Sequence, residues 1–214
     1  MDGEPLPSAI ASLSRAELLR DLETSSHARR SALIVRETSL ELGLDAEQSR
    51  RIALASILHD IGKIAVPIEL LQKTAPLSRE EQALIRTHCR RGYEILHSDI
   101  DPLMALAGEI ALHHHECFDG SGYPDHLAGT DIPLAAQIVA VCDSYDALRQ
   151  NRAYRPGLAH ADAMRILLQG DGRTSPQHFR PEVRTAFQKV SEKARSIFDA
   201  YDMRSHISGV MAWA

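Results

Sequence analysis

No stretch of five or more residues in this 214-residue chain alternates apolar and polar side chains with β-branched enrichment, so a sheet has no place to form. The signals that open and close helices, by contrast, recur along its length. Ser14-x-x-Glu17 and Ser78-x-x-Glu81 have the form of capping boxes, in which a hydroxyl and a carboxylate satisfy the first free amides of a helix, and Asp45-x-x-Gln48 is a weaker version. Pro102, Pro133 and Pro181 stand where a first-turn proline would, each ahead of an apolar segment with helical spacing. Gly43 and Gly170 follow such segments, where a left-handed residue ends a helix. The pattern predicts an all-α fold, a compact bundle of about seven helices. They are expected near 14–42 (whole or broken), 46–60, 79–96, 102–116, 133–149, 158–169 and 181–203. A long irregular segment at 117–132 carries Gly120, Gly122, Pro124 and Gly129, and glycines there allow backbone to approach a ligand.

With 44% apolar and 25% charged residues the chain can bury one domain's core, and no linker, repeat or low-complexity tract marks a second. A formal net charge of -5 gives no global attraction to duplex nucleic acid, which argues against bulk nucleic-acid binding. No run approaches the roughly 18 to 20 apolar residues of a membrane span, and no signal-peptide pattern opens the chain. A cytoplasmic protein without a membrane partner is expected. Cys89, Cys117 and Cys142 are an odd number without CxxC spacing, which fits a reducing compartment better than a disulfide framework.

The chemistry is concentrated in His59-Asp60 with Lys63, the run His113-His114-His115-Glu116, and the loop Asp119-Gly120-Ser121-Gly122-Tyr123-Pro124. Imidazoles and carboxylates this dense suit divalent iron, manganese or zinc. Glu23 and His27 are four apart in a helical segment and share one face. Adjacent His59 and Asp60 would diverge by about 100° on a helix, so each could meet a different cation or the carboxylate could bridge two. His88 falls in the middle of the helix opened by Ser78, and His114-His115 end the next one. Asp143 interrupts the apolar run Ile138, Val139, Val141, where an unpaired buried carboxylate would be costly. Taken singly, each is more ordinarily a solvated or hydrogen-bonded side chain. Jointly they favour a metal site, because several helices would otherwise each have to turn such a group inward by chance. His97, His126, His160, His178 and His206 have no partner at ligand spacing and are expected in solvent, and His113 beside the site or at the surface.

His59-Asp60-Ile61-Gly62-Lys63 resembles the HDxGK element of the HD phosphohydrolase superfamily, and His114-His115-Glu116-x-x-Asp119-Gly120-Ser121-Gly122-Tyr123-Pro124 resembles the motif that defines its HD-GYP branch. Asp21-Leu22-Glu23-Thr24 with His27 and Arg30, Leu71-x-Lys73 before Pro76-Leu77-Ser78, His88 with Gly92, Tyr93 and Leu96, Ile132-Pro133, Val141-x-Asp143-x-Tyr145-Asp146-Ala147-Leu148, and Arg152, Tyr154 and Arg155 extend the likeness over roughly residues 20 to 188. His126 stands where the family has glycine after the loop, Ala153 where proline is common, and Arg180 where aspartate usually precedes Pro181. The resemblance implies a lead-in and the start of the first helix at 1–19, a catalytic HD-GYP domain at 20–190, and a C-terminal helix end and tail at 191–214.

By that resemblance the metal ligands are Glu23, His27, His59, Asp60, His88, His114, His115 and Asp143, with Asp60 bridging and Glu23 accompanying a third cation. Two or three divalent ions are implied, iron or manganese first, with zinc and nickel open. The implied reaction is hydrolysis of cyclic di-GMP to linear pGpG, and onward to GMP, by water activated between the cations, with Asp60 and Lys63 in the catalytic role. Lys63, Tyr123, Asp146, Arg152 and Arg155 are the implied substrate contacts, and protein partners would meet the chain through the GYP loop. Two other readings stay open: an HD phosphohydrolase acting on another nucleotide, and a catalytically silent interaction or sensing module.

Overall fold

The computed structural model describes residues 6–18, 24–151 and 156–207, with the side chains of 18, 24–26 and 202–207 left undescribed. Glu23, Arg152 and Arg155 therefore lie outside the described residues, as does the side chain of His206. Among the described residues there is no strand, in line with the missing alternation. The α-helices are α1 (Ser8–Leu18), α2 (Thr24–Glu41), α3 (Ala46–Ser56), α4 (Ile68–Leu71), α5 (Arg79–Arg86), α6 (His88–Leu96), α7 (Pro102–His113), α8 (Leu134–Arg149), α9 (His160–Gln169), α10 (Pro181–Lys189) and α11 (Ser191–Ile207). Short 3-10 turns occur at Ile61–Ala65, Gly129–Asp131 and Pro176–His178.

Two of the three expected capping boxes form. The Asp45 carboxylate accepts the Gln48 amide at 2.8 Å, and the Ser78 hydroxyl accepts the Glu81 amide while the Glu81 carboxylate accepts the Ser78 amide at 2.8 Å. Ser14-x-x-Glu17 is not a cap: Ser14 lies inside α1, and both side chains are buried. Pro102 and Pro181 occupy the first turns of α7 and α10, and Gly43 and Gly170 end α2 and α9 at φ +95° and +88°.

Two expected helices prove to be pairs. The stretch 79–96 breaks at Thr87, where the amide tightens onto the Leu84 carbonyl and the Thr87 hydroxyl bonds the same oxygen at 2.7 Å. The stretch 181–203 breaks at Val190 (φ -94°, ψ 6°); within 14–42 lie α1 and α2, and residues 19–23 between them are outside the described residues. Helix α3 stops at Ser56 rather than at 60, because the next residues wind more tightly, with the His59 amide on the Ser56 carbonyl at 3.2 Å.

Helix α8 is the axis of the bundle. Ala135, Ala136, Ile138, Val139, Val141, Cys142 and Tyr145 are all buried, so it is apolar nearly all round, as a helix enclosed by neighbours must be. Helices α2, α7, α9 and α10 pack around it, α2 also carries α3 and α11, and α6 lies between α7 and the 61–65 turn. Ile34, Leu58, Ile110, Ile138, Leu167 and Phe187 are at most 1% exposed, each contributing about 1.5–3 kcal/mol of transfer free energy. Ile57, Leu58 and Ile61 flank His59-Asp60 and are themselves in that core, which fixes the pair at the end of α3.

Candidate metal centre

Five segments bring the ligand candidates together: the start of α2 (His27), the tightened turn after α3 (His59, Asp60), the start of α6 (His88), the end of α7 (His114, His115) and the middle of α8 (Asp143). The breaks in the helices are what aim the rings. His59 Nδ1 lies 2.8 Å from the Ser56 carbonyl, His88 Nδ1 2.7 Å from that of Ile85, and His114 Nδ1 3.1 Å from those of Ile110 and Ala111. A carbonyl can only accept, so each Nδ1 carries the proton and each Nε2 presents a lone pair, the tautomer of an imidazole ligand. Gly62 permits the close approach behind this arrangement: a Cβ there would lie 1.9 Å from the His88 carbonyl oxygen.

Asp60 is the hub. Its Oδ1 lies 3.4 Å from His88 Nε2 and 3.8 Å from His114 Nε2, while its Oδ2 lies 3.5 Å from His59 Nε2 and accepts a hydrogen bond from Lys63 Nζ. Across the cavity Asp143 Oδ1 is 3.2 Å from His27 Nε2 and 3.7 Å from His59 Nε2. The donor atoms fall into two groups, His27, His59 and Asp60 in one, and His88, Cys89, His114 and His115 in the other, each within 4.8 Å. Asp60 thus stands where one carboxylate touches both. Arg30 and Asp146 support the first group: the guanidinium grips both carboxylate oxygens, with Nη2 2.6 Å from Oδ2, and the same Oδ2 accepts from His27 Nδ1.

Charge is balanced pairwise. Burial opposes ionisation of Asp60, but Lys63, His59, His88 and His114 hold its carboxyl well below the ordinary range. Asp143 is likewise held low, against burial, by His27 and His59. Burial, with neighbouring imidazoles, lowers His88, drives His114 well down and brings His115 to about 4, so these three are neutral at pH 7. His27 goes the other way: against burial, Asp146 and Asp143 raise it to about 10. In the metal-free protein its proton therefore contributes stability that is full below the ordinary value of 6.5 and lost as pH rises through about 10. A cation at Nε2 must displace that proton. Affinity should rise about tenfold per pH unit for each proton displaced between pH 7 and 9, measured by competition with a chelator of known affinity. A flat profile would mean that binding displaces no proton from His27.

The glycine-bearing loop is folded back on the last two histidines. The Glu116 carboxylate, 3% exposed, accepts the amides of Asp125 and Leu127 at 2.7 and 3.1 Å, and the Tyr123 amide donates to the His115 carbonyl at 3.2 Å. Gly122 is obligatory, since a Cβ there would sit 2.2 Å from the Cys117 nitrogen. His126, where the resemblance expects glycine, adopts φ +55°, the left-handed conformation glycine takes most readily. Beyond Tyr123 and Pro124 a pocket of about 390 Å³ is lined by Arg86, Thr87, Arg90, Arg91, Ala83 and Glu94.

Two expected substrate contacts, Asp146 and Tyr123, already have partners within the protein. Asp146 is fully buried with its carboxylate engaged by His27 and Arg30, so it orients a ligand candidate and has no free edge for a guanine. The Tyr123 ring already stacks on His115 (centroids 4.8 Å, 28° between planes) and has the Arg86 guanidinium 4.6 Å above it, so it forms a wall of the site. His160 and His178 are not simply solvated: His160 Nδ1 meets the Tyr145 hydroxyl at 2.8 Å, and His178 accepts the Ser175 amide. Sequence reasoning gave no ligand role to Cys89, whose Sγ is 3.5 Å from His88 Nε2, or to Glu17, which its apparent role as a cap disguised. Burial and the Asp60 charge push the Glu17 carboxyl up to about 7.

A divalent cation fits this donor set on the structure's own terms. His59 Nε2, Asp60 Oδ1 and His114 Nε2 are buried atoms without a hydrogen-bond partner, all facing one another. Orphaned polar atoms at that density are expensive unless a shared cation satisfies them.

The HD domain family matches residues 14–177. A cyclic di-GMP phosphodiesterase of Vibrio cholerae is 37% identical over 198 residues, covering 86% of this chain and 39% of its own. A 3'3'-cGAMP-specific phosphodiesterase of the same organism is 37% identical over 174 residues, covering 81% and 33%. The chain thus spans well under half the length of these curated relatives. An HDG"Y"P protein of Bdellovibrio bacteriovorus superposes with a TM-score of 0.62 at 21% identity over 79% of this chain and 52% of its own, a likeness of fold. With the ligand geometry, the carbonyl-locked histidines and the folded-back loop, these matches identify the chain as a member of the HD-domain family, in its HD-GYP branch.

Proposed function

We propose that the chain is a metal-dependent phosphodiesterase that hydrolyses cyclic di-GMP to the linear dinucleotide pGpG. The observation that carries the reading is the hub at Asp60, one carboxylate between two groups of imidazole donors with a lysine at its side. His27, His59, Asp60 and Asp143 would hold one cation and Asp60, His88, His114 and His115 a second, with Glu23 serving a third. Iron or manganese suits this mixture of nitrogen and oxygen donors. Divalent cations so held would lower the pKa of water and neutralise charge building on the phosphoryl oxygens and the leaving 3'-oxygen.

The chain's own groups then bind and orient. Lys63 keeps its proton, because Asp60 raises its pKa against burial, and its partly exposed ammonium can pair with a non-bridging phosphate oxygen. Tyr123 holds His115 in plane and walls the cavity, while Arg86, Arg90 and Arg91 put guanidiniums on the pocket beyond it, where the second half of a dinucleotide can lie. Arg152 and Arg155 would supply the contacts the resemblance assigns to them.

Relatives acting on cyclic di-GMP and on cGAMP are about equally similar, so the base preference is the point to test. Manganese-loaded protein incubated with each dinucleotide, with products separated over time, should convert cyclic di-GMP to pGpG faster than it converts cGAMP. Turnover of cGAMP alone would overturn the substrate while leaving the chemistry intact.

A further inference from the structure

Helix α1 packs on α2 and on the 61–65 turn, next to the cation centre. Its only buried acid among the described residues, Glu17, is 4% exposed, and its Oε1 has no hydrogen-bond partner. Asp60, His59, Lys63 and His27 all lie within electrostatic reach of it, so it is buried on the side of α1 that packs toward the first group of ligand candidates. Neither the HDxGK element nor the GYP loop includes this position, and its spacing from Ser14 suggested only a cap.

A buried carboxylate beside a second carboxylate is unfavourable unless a proton or a cation compensates it. Among the described residues no arginine or lysine bonds its Oε1, and Lys63 is engaged by Asp60. We infer that Glu17 is a ligand of the cation centre, an additional carboxylate that holds a divalent ion beside His27, His59 and Asp60. The inference rests on the reading of those residues as a cation site. It also extends that site beyond the helix of His27 to α1, so docking of α1 and filling of the centre become one event.

The alternative is a carboxyl kept neutral by a shared proton, and the two separate cleanly in Glu17→Gln, whose amide has the shape of the protonated acid. Wild-type protein, Glu17→Gln and Asp60→Asn are stripped, reloaded anaerobically with Mn2+, and analysed for bound metal per chain and for the affinity of each equivalent. The expected result is that Glu17→Gln loses one equivalent, or holds it at least about tenfold more weakly, while keeping the others, and that Asp60→Asn loses the centre. Glu17→Met, which buries no polar atom, repeats the measurement in case the amide impairs folding, and thermal unfolding of the metal-free proteins checks that both variants fold. A full complement at wild-type affinity in both variants would sink the inference and leave the centre standing. Wild-type protein that takes up no metal would overturn the centre itself, and the inference with it.

Discussion

Asp60→Asn is expected to empty the centre and lower dinucleotide turnover by more than about 10³-fold, with the helical fold retained. The carboxylate lies within 3.8 Å of three imidazole nitrogens, and Lys63 bonds its other oxygen. An amide has nearly the same shape, so the core around Ile57, Leu58 and Ile61 need not move. The change is in charge and donor count. An amide oxygen is a poor bridging ligand, and its NH2 would point a donor where a lone pair is needed. Lys63 would lose the negative charge that raises its pKa against burial. Metal analysis, circular dichroism and a product time course on one preparation check all three parts. Retained metal with lost activity would make Asp60 a reacting group rather than a ligand, and retained activity would remove it from the site altogether.

What the sequence made legible follows from how local each cause is. The caps at Asp45 and Ser78, the prolines of α7 and α10 and the glycines after α2 and α9 act within a few residues, and each stands where its spacing implied. Ser14 and Glu17 have the same spacing as Ser78 and Glu81, yet packing of α1 against the 61–65 turn buries them, and no local pattern distinguishes the two cases. The helix breaks at Thr87 and after Ser56 were equally hidden, because each trades regular helix for a carbonyl placed under a histidine. The candidate ligands from His27 to Asp143 could be named because imidazole and carboxylate identities suffice to suspect a metal. Their orientation could not, since it depends on Arg30 and Asp146, which are 116 residues apart in the chain.

That buried pair carries the second large effect. Arg30→Met should destabilise the metal-free protein by about 3–5 kcal/mol, the range for removing one partner of a buried ion pair. Asp146 is fully buried, and against burial its pKa is held down by His27 and Arg30, so without the guanidinium its charge would rest on His27 alone. Arg30 also stacks on Phe198 of α11, 4.3 Å from the ring centre, so methionine keeps apolar contact but not the cation. Urea unfolding of the metal-free variant measures the stability term. Metal affinity measures the functional one, which should fall about 10–100-fold because His27 is no longer held in its ring orientation. Asp146→Asn separates the two. The amide oxygen can still accept from His27 Nδ1, so affinity should fall less than in Arg30→Met, while Arg30 is left buried without its counter-charge and stability suffers comparably. Equal loss of affinity in both variants would mean that the charge on Asp146, rather than its hold on the His27 ring, sets the strength of the site.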